Sequence, residues 1–275
     1  MAKKYLVFFQ YIGGKHYLLK YLLKLVPEHR IYVEAFCGSA KLLFAKTPSK
    51  IEVINDYDKR IANLFYVVAF KFDEFFNKAQ NLIYSRALYT EFKKQLKQKT
   101  INELGDVDDA VMTYGAINMG FNGQIFGNLS YGYKKNQPKR FFNKIDKLPL
   151  IHGRLKNVTI ECLDFEVILD RYGDKEDTFI YLDPPYYKTE HYYNGFNTND
   201  HERLLNKLPT LKAKWLLSGY ANELYDNKLK DFYRLEINVK KHSYGITKNS
   251  KSKERPNATE VLWANYNTNQ IYSTR

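Results

Sequence analysis

The chain has 275 residues, enough for one large domain or for a domain with a sizeable insertion, and its 44% hydrophobic content is enough for a packed core. Its 43 lysines and arginines against 30 aspartates and glutamates leave a net charge of +13. That surplus points first to nucleic acid and second to an anionic membrane surface, although the codon bias of an A/T-rich genome accounts for such an excess equally well.

The first residues, MAKKYLVFFQ, carry an apolar run too short for a leader and no small-residue cleavage site, so they read as mature protein. No apolar run reaches the length of a membrane span without a lysine or arginine in it. GKHYLLKYLLKLV (14–26) spaces its leucines on one helix face, and Pro27 stops it. IYVEAF then reads as a buried strand, CGSA as a turn, and the following residues to about Lys46 as a helix. IEVIN (51–55) is a second apolar strand ending at Asp56, which completes a βαβ rhythm and implies a parallel sheet covered by helices.

From residue 57 to about 118 the pattern is helical, with no clear core strand. MGFNGQIFGNLSYGY (119–133) is rich in glycine, asparagine and aromatics, as a hairpin or exposed loop would be, and a weak helical stretch follows KKNQPKR. Strand rhythm resumes at NVTIECLD (157–164), TFIYL (178–182), KWLLSG (214–219) and TEVLWANY (259–266). The polar, basic stretch KKHSYGITKNSKSKERPNA (240–258) is expected to be a mobile loop. The simplest parse is an α/β domain in two sequence pieces with a mainly helical insertion between them.

Cys37 and Cys162 give neither a disulfide framework nor metal-ligand spacing, which suits a reducing cytoplasm. IGGK (12–15) fails as a triphosphate loop, because Phe9 and His16 stand where glycine and serine or threonine are needed. His191, His201 and His242 have no zinc-site partners, and no G-x-S-x-G elbow is present. A glycine-containing turn after one strand and Asp56 at the end of the next would suit a ligand with ribose hydroxyls, although most such turns are structural.

DPPY (183–186) is more pointed. Two prolines after a strand stiffen the backbone and remove competing N–H groups. Asp183 and a fixed carbonyl then offer two acceptors to an exocyclic NH₂, beside the ring of Tyr186 as a stacking face.

With YIGGK (11–15), VEAFCGSA (33–40), VINDYD (53–58) and NMGFNGQ (118–124) preceding DPPY, the chain resembles the Dam-like, D12-class (alpha group) DNA adenine N6-methyltransferases over nearly its whole length. Ala40 departs from the family at a position where a second glycine is common, and Tyr11 where tryptophan is frequent. The resemblance implies a mostly parallel, seven-stranded, Rossmann-like sheet with one antiparallel strand. The catalytic domain would comprise residues 1–56 and 155–275, with a target-recognition domain at 57–154 that carries a hairpin near 119–133.

It also implies S-adenosylmethionine as cofactor, with no metal, and double-stranded DNA as substrate. A separately acting restriction endonuclease is a compatible partner, no membrane is involved, and the setting is a bacterial or phage-host cytoplasm. By motif, Tyr11, Lys15, Phe36, Gly38 and Asp56 would hold the cofactor, with Asp164 and Asp183 beside it. Asp164 reads equally well as a helix N-cap. Asp183, Pro184 and Tyr186 would grip a flipped adenine. Asn122, Gln124, Asn128 and Tyr133 are candidate base readers, each of which ordinary turn chemistry would also explain. Lys134, Lys135, Lys139 and Arg140 would track phosphates. Rival readings are an amino-methyltransferase acting on N4 of cytosine, RNA adenine or a protein amide, or a non-catalytic basic DNA-binding protein.

Overall fold

The computed structural model describes residues 5–11, 17–131, 135–188, 196–240 and 257–268. Its chain order is α1 (Leu19–Leu25), β1 (Ile31–Glu34), α2 (Lys41–Ala45), β2 (Ile51–Asn55), α3 (Lys59–Phe70), α4 (Phe72–Ala79), α5 (Arg86–Gln98) and α6 (Val107–Met119). There follow α7 (Gln137–Ile145), α8 (Leu148–Leu155), β3 (Val158–Glu161), α9 (Phe165–Tyr172) and β4 (Thr178–Leu182). The order closes with α10 (Thr198–Lys207), β5 (Lys214–Tyr220), α11 (Glu223–Lys228), β6 (Tyr233–Lys240) and β7 (Asn257–Ala264).

The seven strands form one mostly parallel sheet in the order β3-β2-β1-β4-β5-β7-β6. β1 runs parallel to β4, β4 to β5, and β2 to β3, whereas β7 is antiparallel to both β5 and β6. Every residue of β1 and β4 is buried, as strands covered on both faces require, and this is why they read as largely apolar runs, IYV and FIYL. β6 has no such run in YRLEINVK, because it is the edge strand and its charges keep that edge from pairing further.

By packing, the chain divides into two compact units, residues 1–19 with 37–162 and residues 20–36 with 163–275. In the first, α6 is buried almost all round, and α3, α4, α5 and α7 pack against it. Gly115 lets the Phe92 ring of α5 close onto this helix, since a Cβ there would lie 2.6 Å from the ring edge. The buried Asp109 accepts from Arg60 (3.3 Å) and Thr113 (3.3 Å). In the second unit, β1, β4, β5, β7 and β6 carry the core, with Trp215 and Trp263 wholly enclosed.

Candidate active site

The second unit brings the carboxyl ends of β1 and β4 side by side, with the Ala35 N–H donating to the Tyr181 carbonyl (3.2 Å). Successive strands run from β1 to one side and from β4 to the other, so this is the point where open α/β sheets receive ligands. Pro184 and Pro185 end β4 here, and Pro184 is buried. Ser218, buried on β5, donates to Asp183 Oδ1 (2.8 Å) and lies 3.1 Å from the Tyr181 hydroxyl. The DPPY carboxylate is thereby fixed through a side chain from the neighbouring strand. Burial, with the Asp183 charge adding to it, raises the Tyr181 hydroxyl well above the usual phenol value and keeps it protonated.

Tyr186 is held at its far end. Its hydroxyl donates to Glu260 Oε2 on β7 (2.6 Å), and its ring meets Tyr220 edge-on, with centroids 4.4 Å apart. Tyr187 meets the His201 ring edge-on (5.3 Å). Burial lowers the His201 pKa to about 4, so the imidazole is neutral at pH 7 while its Nδ1 bonds the Tyr225 hydroxyl (2.7 Å).

Phe36, just past β1, packs against Phe165 and Phe196 in an aromatic cluster. Beside it Asp164 is the N-cap of α9, accepting from the Glu166 N–H (2.9 Å), and it pairs with Arg203 (2.9 Å). The Arg203 guanidinium also bonds Glu166 and Asp200 and lies over the Phe165 ring. The N-cap role foreseen as an alternative for Asp164 is therefore present.

In the first unit Gly38 has φ +47°, and a Cβ on it would lie 3.1 Å from the Tyr11 ring, so both backbone conformation and space call for glycine. The Gly38 N–H donates to Asp56 Oδ2 (2.8 Å), the Asp58 N–H donates to Oδ1 (3.0 Å), and the Cys37 N–H donates to the Asn55 carbonyl (2.9 Å). Tyr11, Gly38 and Asp56 thus converge at the end of β2. Loss of water raises the Asp56 pKa to about 7, with the Asp58 charge adding to the rise and the two N–H bonds opposing it. Such a carboxylate, beside a bare glycine turn and an aromatic face, fits a ribose whose hydroxyls donate to it. Lys15 lies outside the described residues.

The glycine-rich segment after α6 is a closed loop. A single antiparallel bridge, Gly120 to Leu129, joins its ends, and Phe121–Gly123 forms one 3₁₀ turn, so the expected two-stranded hairpin is reduced to one bridge. Side chains replace the missing ladder. Tyr84 donates to the Ser130 carbonyl, Tyr89 to those of Gln124 and Ile125 (3.2 Å each), and Lys93 to that of Gly127 (3.0 Å). Asn122 is exposed at φ 54°, and Asn128 is exposed, whereas Gln124 is half-buried with its side chain against Gly127. Lys135, Lys139 and Arg140 are exposed just before and within the first turn of α7. Tyr133, Lys134 and most of the basic stretch 240–258 lie outside the described residues.

Sequence reading missed Ser218, Tyr220 and Glu260, which reach the DPPY segment from β5 and β7. The available signal was Ser218 after the apolar run WLL and Glu260 before the apolar run VLWA. Among the described residues no group of three His, Cys, Asp or Glu side chains could hold a metal ion, and no helix is long and apolar enough to cross a membrane.

Comparison with known proteins adds to this geometry. The family model for D12 class N6 adenine-specific DNA methyltransferases matches residues 11–243. Type II methyltransferase M1.LlaDCHI of Lactococcus lactis subsp. cremoris is 27% identical, over 94% of this chain and 95% of its own. Modification methylase StsI of Streptococcus sanguinis is 27% identical over 94% of this chain and 42% of its own, and the DNA adenine methylase of Vibrio cholerae serotype O1 is 22% identical over 98% and 99%.

Proposed function

The chain belongs to the D12 class of N6 adenine-specific DNA methyltransferases, and we propose that it methylates the exocyclic amine of an adenine flipped out of duplex DNA, with S-adenosylmethionine as methyl donor. The observation that carries the reading is the DPPY segment at the switch between β1 and β4, with Asp183 oriented by Ser218 and Tyr186 held by Glu260.

Adenine N6 is a poor nucleophile because its lone pair is delocalised into the ring. Asp183 and the Pro184 carbonyl accept its two N–H bonds, draw the nitrogen toward tetrahedral geometry and stabilise the positive charge that grows there. When bound, the cofactor supplies an electrophilic methyl on a sulfonium. The protein's work is to position the amine and exclude water. Tyr186 offers its face to the extruded base and offsets part of the few kcal/mol of lost stacking. Tyr11, Lys15, Phe36, Gly38 and Asp56 hold the cofactor, Asp56 by accepting from ribose hydroxyls. Asp164, which caps α9, would lie beside it.

We assign catalysis to residues 1–56 and 155–275 and target recognition to 57–154, with Asn122, Gln124, Asn128 and Tyr133 facing bases and Lys134, Lys135, Lys139 and Arg140 facing phosphates. A separate restriction endonuclease of the same specificity suits such an enzyme, and the cytoplasm is where its DNA is found. Asp183→Ala removes one acceptor from the amine. It is expected to lower methyl transfer by about 10²–10³-fold while leaving DNA binding in a gel-shift assay within about threefold of wild type. Calorimetric binding of S-adenosylmethionine separates this enzyme from a basic DNA-binding protein, which would bind none.

A further inference from the structure

Glu260 is a carboxylate in β7, directly before the apolar run Val261–Ala264, and it is almost fully enclosed, with 1% of its surface exposed. Burying such a group costs several kcal/mol unless strong hydrogen bonds compensate, so its position calls for a reason. It stands opposite Tyr220 in the β5–β7 register, so these two side chains form a seat contributed by adjacent strands. Tyr186 occupies that seat. Its hydroxyl donates to Glu260 at 2.6 Å, the length of a charge-assisted bond, and its ring packs T-shaped with that of Tyr220.

We infer that Glu260 is a positioning residue for methyl transfer: it fixes the plane of the Tyr186 ring so that one face is preset for the extruded base. The ring turns on only two side-chain bonds. Its Cα end is held by the two prolines before it, and its hydroxyl end by Glu260. A ring clamped at both ends keeps one orientation, and a loosened ring lets the base stack at angles unproductive for its amine. This inference rests on the methyltransferase reading of the DPPY segment.

The test is steady-state methyl transfer from S-adenosylmethionine to genomic DNA devoid of N6-methyladenine, with calorimetric cofactor binding and thermal unfolding measured alongside. Tyr186→Phe deletes the hydroxyl and keeps the ring, and Glu260→Leu deletes the acceptor; each is expected to lower kcat about tenfold with cofactor affinity unchanged. Glu260→Gln keeps an acceptor oxygen and should lose only about threefold, a partial rescue that a charge-only role would not give.

Combining Tyr186→Phe with Glu260→Gln is expected to leave kcat within about twofold of Tyr186→Phe alone, because the shared interaction is already gone. Full kcat in Tyr186→Phe, or losses that multiply in the double variant, would overturn the inference. If Glu260→Leu does not fold, Tyr186→Phe, Glu260→Gln and their combination decide the matter. Absence of transfer by the wild-type chain would instead overturn the methyltransferase reading, and this inference with it.

Discussion

Asp56 and Asp183 illustrate how much a carboxylate's surroundings decide. Asp183 takes a hydrogen bond from the Ser218 hydroxyl, and Asp56, half-buried at the end of β2, has its pKa raised to about 7 by loss of water and the Asp58 charge. The neutral form of Asp56 is the one the fold favours, so this residue costs stability as pH climbs from the ordinary carboxylate range to about 7. Ribose hydroxyls, by contrast, donate best to the ionised form. Cofactor affinity is therefore expected to rise about tenfold from pH 6 to pH 8 in calorimetry, and Asp56→Asn should flatten that dependence. Nearby, Ala40 sits at φ 48°, which costs an L-residue about 1–2 kcal/mol. Its methyl is fully buried, worth about 0.8 kcal/mol, and alanine also loses less backbone entropy on folding than glycine. The terms nearly cancel, which explains why alanine is tolerated at this left-handed position.

At the scale of elements, the loop after α6 depends on glycine for space. A Cβ on Gly120 would lie 2.1 Å from the Gln124 carbonyl oxygen, and one on Gly123, at φ +77°, 2.2 Å from that of Gln10. Both obstacles are backbone, so neither can swing aside. Gly120→Ala is expected to cost about 1–3 kcal/mol in denaturant unfolding and to depress methylation beyond that loss, because the carbonyl it displaces belongs to a candidate base reader. This loop also marks a limit of sequence reading. Its composition announced a turn, yet the tyrosines and lysine that brace it, Tyr84, Tyr89 and Lys93, lie some 30 or more positions upstream of the carbonyls they hold. Strands β1, β2, β4, β5 and β7 were legible because burial writes a largely apolar run, and β3 was legible within NVTIECLD. β6 was not, because an edge strand alternates. DPPY was legible as a motif, whereas Ser218 and Glu260 were polar letters beside apolar runs, meaningful only once the sheet places β5 beside β4 and β7 beside β5.

For the whole molecule, the net charge of +13 turns into a statement about affinity. Each phosphate neutralised releases counterions, so DNA binding should weaken steeply with salt, and replacing Lys135, Lys139 or Arg140 by glutamine should each reduce the slope of log K against log salt by about 1. Such replacements are expected to lower affinity for all DNA sequences alike, while changes in the loop after α6 are expected to alter which sequence is chosen. The central claim, methylation of adenine N6 in particular DNA sequences, is tested most directly by incubating the purified protein and S-adenosylmethionine with genomic DNA free of N6-methyladenine, followed by modification-aware sequencing. The expected result is N6-methyladenine confined to one short recurring motif, formed about 10²–10³-fold more slowly when Asp183→Ala replaces the wild type. DNA that emerges without N6-methyladenine, or with the methyl group on cytosine, would contradict it.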